Sequence, residues 1–421
     1  MAARKKASET STDYVHPYRP APVRAFNLIG RAAGKLGVSR PLRTETLIGR
    51  AARKTGLRDF GDDGHREALE VLVGSINAEA DLTATGKVIQ ASRLTGALVS
   101  RLRIQELLER HPEIHDIELG TIILVTGLQR TGTTLLHRLL FAHPEMRGVT
   151  GVEALEPVPA GNAEARGGGD RKARAVLAQR AFAYLSPHFN IVHPIDYDEP
   201  EEDVMLLDLN FMSQAPEATM HVPTYSRWLE AQDHTRTYEY FRQVLKVLCW
   251  QRPGRHWVLK TPHHMEYLDV FLKVFPDAVV VQTHRDPRKT LPSFCSMVAH
   301  GRGIFSDAVD PAEIARHWRR KTRRMVAAMM RTRDALTPDR CMDVSYYHLL
   351  EDPVAQVRRV LERAGIAYGG EAVHRAEQYL EAHPRNRFGR HAYRLSDFEL
   401  DAATIDEDFG GYRKRYGIPV E

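Results

Sequence analysis

Residues 121–127, Thr-Ile-Ile-Leu-Val-Thr-Gly, form an uninterrupted apolar and β-branched run. A run without polar alternation suits a strand buried on both faces, and such strands belong to parallel sheets with helices packed above and below. A glycine-containing turn follows, and residues 135–143, Leu-Leu-His-Arg-Leu-Leu-Phe-Ala-His, then read as a helix. Strand, turn and helix in succession open an α/β fold. Three further runs read as strands: residues 255–260, ending at Lys260, residues 277–285, and residues 340–350. Helical spacing recurs at 172–185, 236–250, 289–298 and 351–365, where Gly365 supplies a stop. The expected fold is therefore α/β, a P-loop-like three-layer sandwich with a central parallel sheet.

The chain before residue 119 differs in character. Residues 1–22 are polar and contain proline, which predicts a flexible tail. Residues 23–118 carry apolar residues at threes and fours and predict an N-terminal helical cap. The α/β domain would then occupy residues 119–421, with an internal loop at 159–175.

The formal charge of +5 and pI of about 9.0 are compatible with an anionic ligand but too weak to argue for nucleic acid. No run of apolar residues is long enough for a spanning helix, and the polar opening lacks the apolar core of a secretory signal. Cys249, Cys295 and Cys341 lie far apart, as reduced thiols in a cytoplasmic protein would. The segment His111-Pro-Glu-Ile-His115 lacks the spacing of a zinc helix and reads as a helix end, so no metal site is expected.

The chemistry concentrates in Gly127-Leu-Gln-Arg130-Thr131-Gly132-Thr133-Thr134, set between strand and helix. Backbone N–H groups at such a helix start favour an anion, and three threonines add hydroxyls. A P-loop nucleotidase requires lysine where Thr133 stands; here the cation is Arg130, three residues earlier. Hydrolysis of ATP or GTP thus lacks its usual lysine.

The run Gln-Arg-Thr-Gly-Thr-Thr-Leu-Leu (129–136) resembles the 5′-phosphosulfate loop of sulfotransferases that use 3′-phosphoadenosine 5′-phosphosulfate (PAPS). Its arginine form is similar to tyrosylprotein sulfotransferases and the large bacterial PAPS-dependent group. Residues 257–271, 283–293 and 385–398 also resemble that bacterial group, so the likeness covers roughly residues 119–418. It implies PAPS as sulfuryl donor and a hydroxyl or amine as acceptor. Residues Arg130, Thr131, Gly132, Thr133 and Thr134 would hold the phosphosulfate. Arg285 and Ser293, eight residues apart, would hold the 3′-phosphate, with Arg387 and Arg390 in a basic loop closing over it.

Sulfuryl transfer is an in-line displacement, and cations at the bridging oxygen stabilise its transition state. Arg130 and Lys260 are the candidates. The resemblance favours Glu153 as general base, beside Glu156. Glu202 and Asp203, in an acidic cluster, come second, and His263 and His264 third. The acceptor would be a small molecule or lipid. Residues 186–192 and 210–229, rich in aromatic and apolar side chains, would either line its pocket or pack in the core. Two other classes stay open: an ATP-dependent kinase or NTPase on a related P-loop fold, and a noncatalytic nucleotide-binding protein. The sequence specifies neither the acceptor nor the oligomeric state.

Overall fold

The computed structural model of the chain describes residues 9–37, 40–160, 170–194, 196–384 and 389–421. A five-stranded sheet lies at its centre: β1 (Thr121–Gly127), β2 (Met146–Arg147), β3 (His256–Lys260), β4 (Val279–His284) and β5 (Cys341–Ser345). The spatial order is β2-β3-β1-β4-β5, and every pairing is parallel. Four strands match the apolar runs; β2, two residues long, is too short to carry a pattern. The run expected to continue to residue 350 ends at Ser345, whose hydroxyl accepts the N–H of Tyr347 and caps a helix over Tyr346–Glu351.

Alternation along the strands divides two cores. Ile122 and Leu124 join Trp257, Leu259 and Val280 on one face. Ile123 and Val125 join Val258 and Val281 on the other. Helices Thr235–Gln251, Pro287–Phe305 and Pro311–Asp334 cover the first face, and helices Thr133–Phe141 and Pro353–Arg363 the second. Each fully buried Leu or Val contributes about 1.5–3 kcal/mol, so both layers are held by burial of one sheet.

The N-terminal layer has four helices: α1 (Ala21–Lys35), α2 (Thr44–Thr55), α3 (Gly64–Glu79) and α4 (Ala84–Arg110). Its core, built on Leu47, Leu72, Leu94 and Leu98, is completed by Phe211, Met220, Tyr225 and Leu229. Much of the aromatic segment 210–229 therefore packs here. The apolar residues of the long α4 are spread around its circumference because it serves two cores. Leu94, Leu98 and Leu102 face the helical layer, while Ile104, Leu107 and Leu108 face the sheet layer. Thr83 caps it by accepting Gly86 N–H at 3.0 Å and donates its own hydroxyl to the Phe305 carbonyl at 3.0 Å.

Residues 9–20 fall within the expected flexible tail, and they lie along the body of the protein. Thr10 N–H donates to the Arg390 carbonyl at 3.1 Å, and Ala392 N–H donates to the Thr10 hydroxyl at 2.9 Å. Tyr14 is buried, with its ring against His300 and Phe398 and its hydroxyl donating to Ser296 at 3.0 Å. An aromatic anchor of this size outweighs the polar composition around it. All three cysteines are free thiols. No described helix is long and apolar enough to cross a membrane.

Candidate active site

The loop after β1 leads into α5 (Thr133–Phe141), at the C-terminal edge of the sheet. Gly127 lies so near β4 that a Cβ would sit 2.4 Å from the Thr283 hydroxyl, and its φ is +150°. Only glycine fits there. Gly132, at φ +92°, precedes α5, and no described side chain caps that helix. Arg130 also has a positive φ, +70°, a conformation that costs a non-glycine residue about 1 kcal/mol.

Arg130 donates to the Val192 carbonyl at 3.2 Å. Among the described residues no carboxylate pairs with it, and burial together with the charge of Arg285 lowers its pKa. Its side chain lines a cleft of roughly 290 Å³ with Thr134, Ile191, Pro194, Tyr379 and His391. Thr131 is turned inward: its hydroxyl donates to the Leu128 carbonyl and meets the Thr283 hydroxyl, both at 2.6 Å. It fastens the loop to β4, leaving only its backbone to face a ligand. Thr133 is buried and Thr134 exposed.

Sheet register brings Lys260 beside this loop, since it pairs with Val125 of β1. Lys260 is buried, and its ammonium donates to Glu202 Oε1 at 2.8 Å; the Thr261 hydroxyl donates to Oε2 at 3.3 Å. Burial opposes the charge on Glu202, but Lys260, His193 and these hydrogen bonds hold its carboxyl below the usual range. Next to it, Asp203 receives His264 Nε2 at 3.1 Å, and Tyr238 meets His264 Nδ1 at 2.8 Å. This buried chain fixes the residues that follow Glu202.

A second basic site follows β4. Arg285 Nη1 donates to the Arg130 carbonyl at 3.3 Å, and its guanidinium stacks on Tyr346, 4.1 Å from the ring centre. Its Nε and Nη2 grip both oxygens of the Glu421 side chain at 2.8 and 3.0 Å. The fork is thus presented to an anion. Ser293 is buried and lies 3.4 Å from His391 Nδ1, while His391 Nε2 meets Ser296 at 2.9 Å. Burial and the positive charge of Arg130 push His391 down to about 3. His391 also borders a second cleft, of about 560 Å³, with Lys289, Arg390, Tyr393 and Arg394.

Several expected residues lie elsewhere. Glu153 is buried with both oxygens engaged: Arg147 and Arg252 donate to Oε1 at 3.0 and 3.1 Å, and Arg252 and Thr150 N–H to Oε2, each at 3.0 Å. Burial raises its pKa, but the two arginines overcome this and keep it an ionised structural acid. Those contacts leave it no oxygen for an acceptor proton. Glu156 pairs with Arg103 and Arg174. His264 is enclosed between Asp203 and Tyr238, and His263 is fully buried against His234 and Tyr267. Neither histidine opens to a cleft. Arg390 points outward, its Nε 3.9 Å from Glu9. Arg387 lies outside the described residues.

His391, Tyr346, Tyr393 and Glu421 were not among the residues expected from sequence. A histidine two residues after Gly389 in a basic loop was the available signal for the first. Nothing local marks Glu421, whose partner lies 136 residues away.

A sequence profile of the sulfotransferase family matches residues 123–369. The omega-hydroxy-beta-dihydromenaquinone-9 sulfotransferase Stf3 of Mycobacterium bovis is 25% identical over 318 residues, covering 70% of this chain and 74% of that protein. Sulfotransferase STF1 from Mycobacterium tuberculosis H37Rv superimposes with a TM-score of 0.78 at 31% identity, over 88% of this chain and 99% of that one. Sulfotransferase STF9 from Mycobacterium avium gives 0.81 at 29% identity, over 90% and 97%.

Proposed function

Because the chain belongs to the sulfotransferase family, we propose that it moves the sulfuryl group of PAPS to a hydroxyl on an acceptor with an apolar body. The observation that carries this reading is Arg130, a half-buried guanidinium with no carboxylate partner among the described residues, on the loop that sheet register sets beside the Lys260–Glu202 pair. A guanidinium that lines a cleft without an ionic partner has donors to offer, so the position of Arg130 is suited to an anionic ligand. When bound, PAPS supplies an activated sulfuryl group and a leaving phosphate.

The loop N–H groups, Arg130 and Thr134 would hold the phosphosulfate end. Arg285 and Ser293, with His391, would hold the 3′-phosphate, the Glu421 carboxylate giving way on the Arg285 fork. Glu202 takes the place first expected for Glu153 and accepts the acceptor's proton. Lys260 links the two halves of the charge movement. While its ammonium faces the Glu202 carboxylate, Glu202 is a weak base. As that ammonium turns toward negative charge growing at the loop, Glu202 regains basicity, and its protonation in turn frees the ammonium.

The apolar acceptor is supported by Leu135, Ile191, Pro194 and Tyr379 along the cleft that Arg130 lines. It also accords with the relative named for omega-hydroxy-beta-dihydromenaquinone-9.

Calorimetric titration with adenosine 3′,5′-bisphosphate, ADP and ATP, with and without magnesium, tests the donor assignment. Magnesium-independent preference for the bisphosphate is expected. Arg285→Ala should weaken that binding about tenfold or more, as loss of a bidentate phosphate contact does. Arg130→Ala should lower kcat by roughly 10²–10³-fold. Tighter binding of ATP with magnesium would overturn the reading in favour of a kinase.

A further inference from the structure

Helix α1 touches the protein along one narrow face and leaves the rest bare. Asn27 is its one buried residue, its side-chain oxygen accepting both the N–H and the hydroxyl of Thr85 at 3.0 and 2.8 Å. One turn on, Gly30 meets α4 so closely that a Cβ would lie 2.3 Å from that of Ala84. Large apolar side chains stand elsewhere on the helix. Phe26 is 48% exposed, Leu28 and Ile29 are each 68% exposed, and Leu36, just past the helix end, is 78% exposed. Leu28, Ile29, Ala32 and Leu36 follow spacings of three and four, and so form one stripe. Stripes of this size on a soluble surface mark contact sites.

Charge identifies the occupant. From Tyr14 to Thr44 the chain has six basic residues, Arg19, Arg24, Arg31, Lys35, Arg40 and Arg43, and no acidic one. Arg24, Arg31 and Lys35, at spacings of seven and four, run as a second stripe beside the apolar one. Arg31 is held by Asp307, while the side chains of Arg24 and Lys35 extend from exposed positions. A second copy of the chain, docked face to face, would set these like charges against each other. A helix of 15 residues is too short to span a bilayer. An apolar stripe flanked by cations, on a helix of this length, has the form of a segment lying in the plane of a membrane surface.

We propose that α1 docks the protein on an anionic lipid bilayer, with Leu28, Ile29 and Leu36 entering the acyl boundary and Arg24 and Lys35 contacting headgroup phosphates. The assignment is independent of the catalytic reading, because its readout is vesicle binding. Flotation of the full chain with vesicles of phosphatidylcholine, with and without phosphatidylglycerol, tests it. The protein should float with the anionic vesicles and remain behind with the neutral ones, and added salt should release it. The double substitution Leu28→Glu, Ile29→Glu should weaken binding about tenfold or more without altering the thermal transition, since both side chains are exposed. Arg24→Glu with Lys35→Glu should abolish the preference for phosphatidylglycerol. Failure of the unmodified protein to float with anionic vesicles would overturn the proposal, as would full binding by the Leu28, Ile29 variant. So would a dimer in lipid-free solution that this variant converts to monomer, which would assign the face to a second copy.

Discussion

Glu153 and Glu202 are carboxylates within the same α/β body, and their hydrogen-bond partners set them apart. Two guanidiniums and a backbone N–H surround Glu153, while Glu202 shares one ammonium and one hydroxyl. Replacing Glu153 by Gln strands Arg147, which is buried, and the loss should be about 3–5 kcal/mol of stability, read as a fall in Tm. Replacing Glu202 by Gln should instead lower kcat by roughly 10²–10⁴-fold, with nucleotide affinity retained. The pH profile separates Glu202 from the histidines. Burial opposes its charge, but Lys260, His193 and its hydrogen bonds hold its folded pKa below the usual carboxylate range, so it stays ionised as pH falls toward that range. The acidic limb of kcat/KM should therefore appear only below the ordinary carboxylate range, and a limb near neutrality would point to an imidazole. By the same linkage, the stability Glu202 contributes is present above its unfolded pKa and lost as pH falls through the folded one. Sequence named both carboxylates as candidates, but their hydrogen-bond partners were not legible in it. It could not show that Arg147 and Arg252 close on Glu153, because Arg252 comes from 99 residues away.

At the scale of elements, the β1–loop–α5 unit was legible because burial on both faces and the positive-φ glycines leave direct marks in composition. The strap formed by residues 9–14 was not, since polar residues that bond through backbone atoms look the same as a free tail. The structure gives that strap a task. Tyr14 donates to Ser296, Ser296 meets His391, and His391 faces Ser293. Thr10 meanwhile pairs with the backbone on either side of His391. Tyr14→Ala should leave a cavity against Phe398 and destabilise the fold by about 3–5 kcal/mol, the usual range for a buried aromatic. The gentler Tyr14→Phe keeps the packing and removes only the bond to Ser296. It should raise KM for the sulfuryl donor while leaving kcat and Tm nearly unchanged, and faster hydrogen exchange at residues 389–394 should accompany it. Unchanged exchange there would mean that the strap fixes the loop through Thr10 alone.

For the whole molecule the question is whether the helical layer and the sheet layer unfold as one. A boundary near residue 118 suggests two units, but α4 crosses between the cores without a break, and residues 211–229 return from the sheet layer to complete the helical one. Losing α4 from either core would expose apolar surface on both, so neither layer has an independent route to stability. Leu98 faces the helical core and Leu107 the sheet core; both are buried, and truncation of either to Ala should cost about 2–5 kcal/mol. Tryptophans report on each side: Trp228 packs on the helical core, and Trp257 and Trp318 belong to the sheet core. In variants that keep Trp228 alone, or Trp318 alone, denaturant unfolding followed by fluorescence should give coincident transitions. Leu98→Ala should move the Trp318 transition as far as the Trp228 one, and Leu107→Ala should do the same in reverse. If Leu98→Ala shifted only the Trp228 signal, the helical layer would be a separable domain, and α4 would be a tether between two bodies.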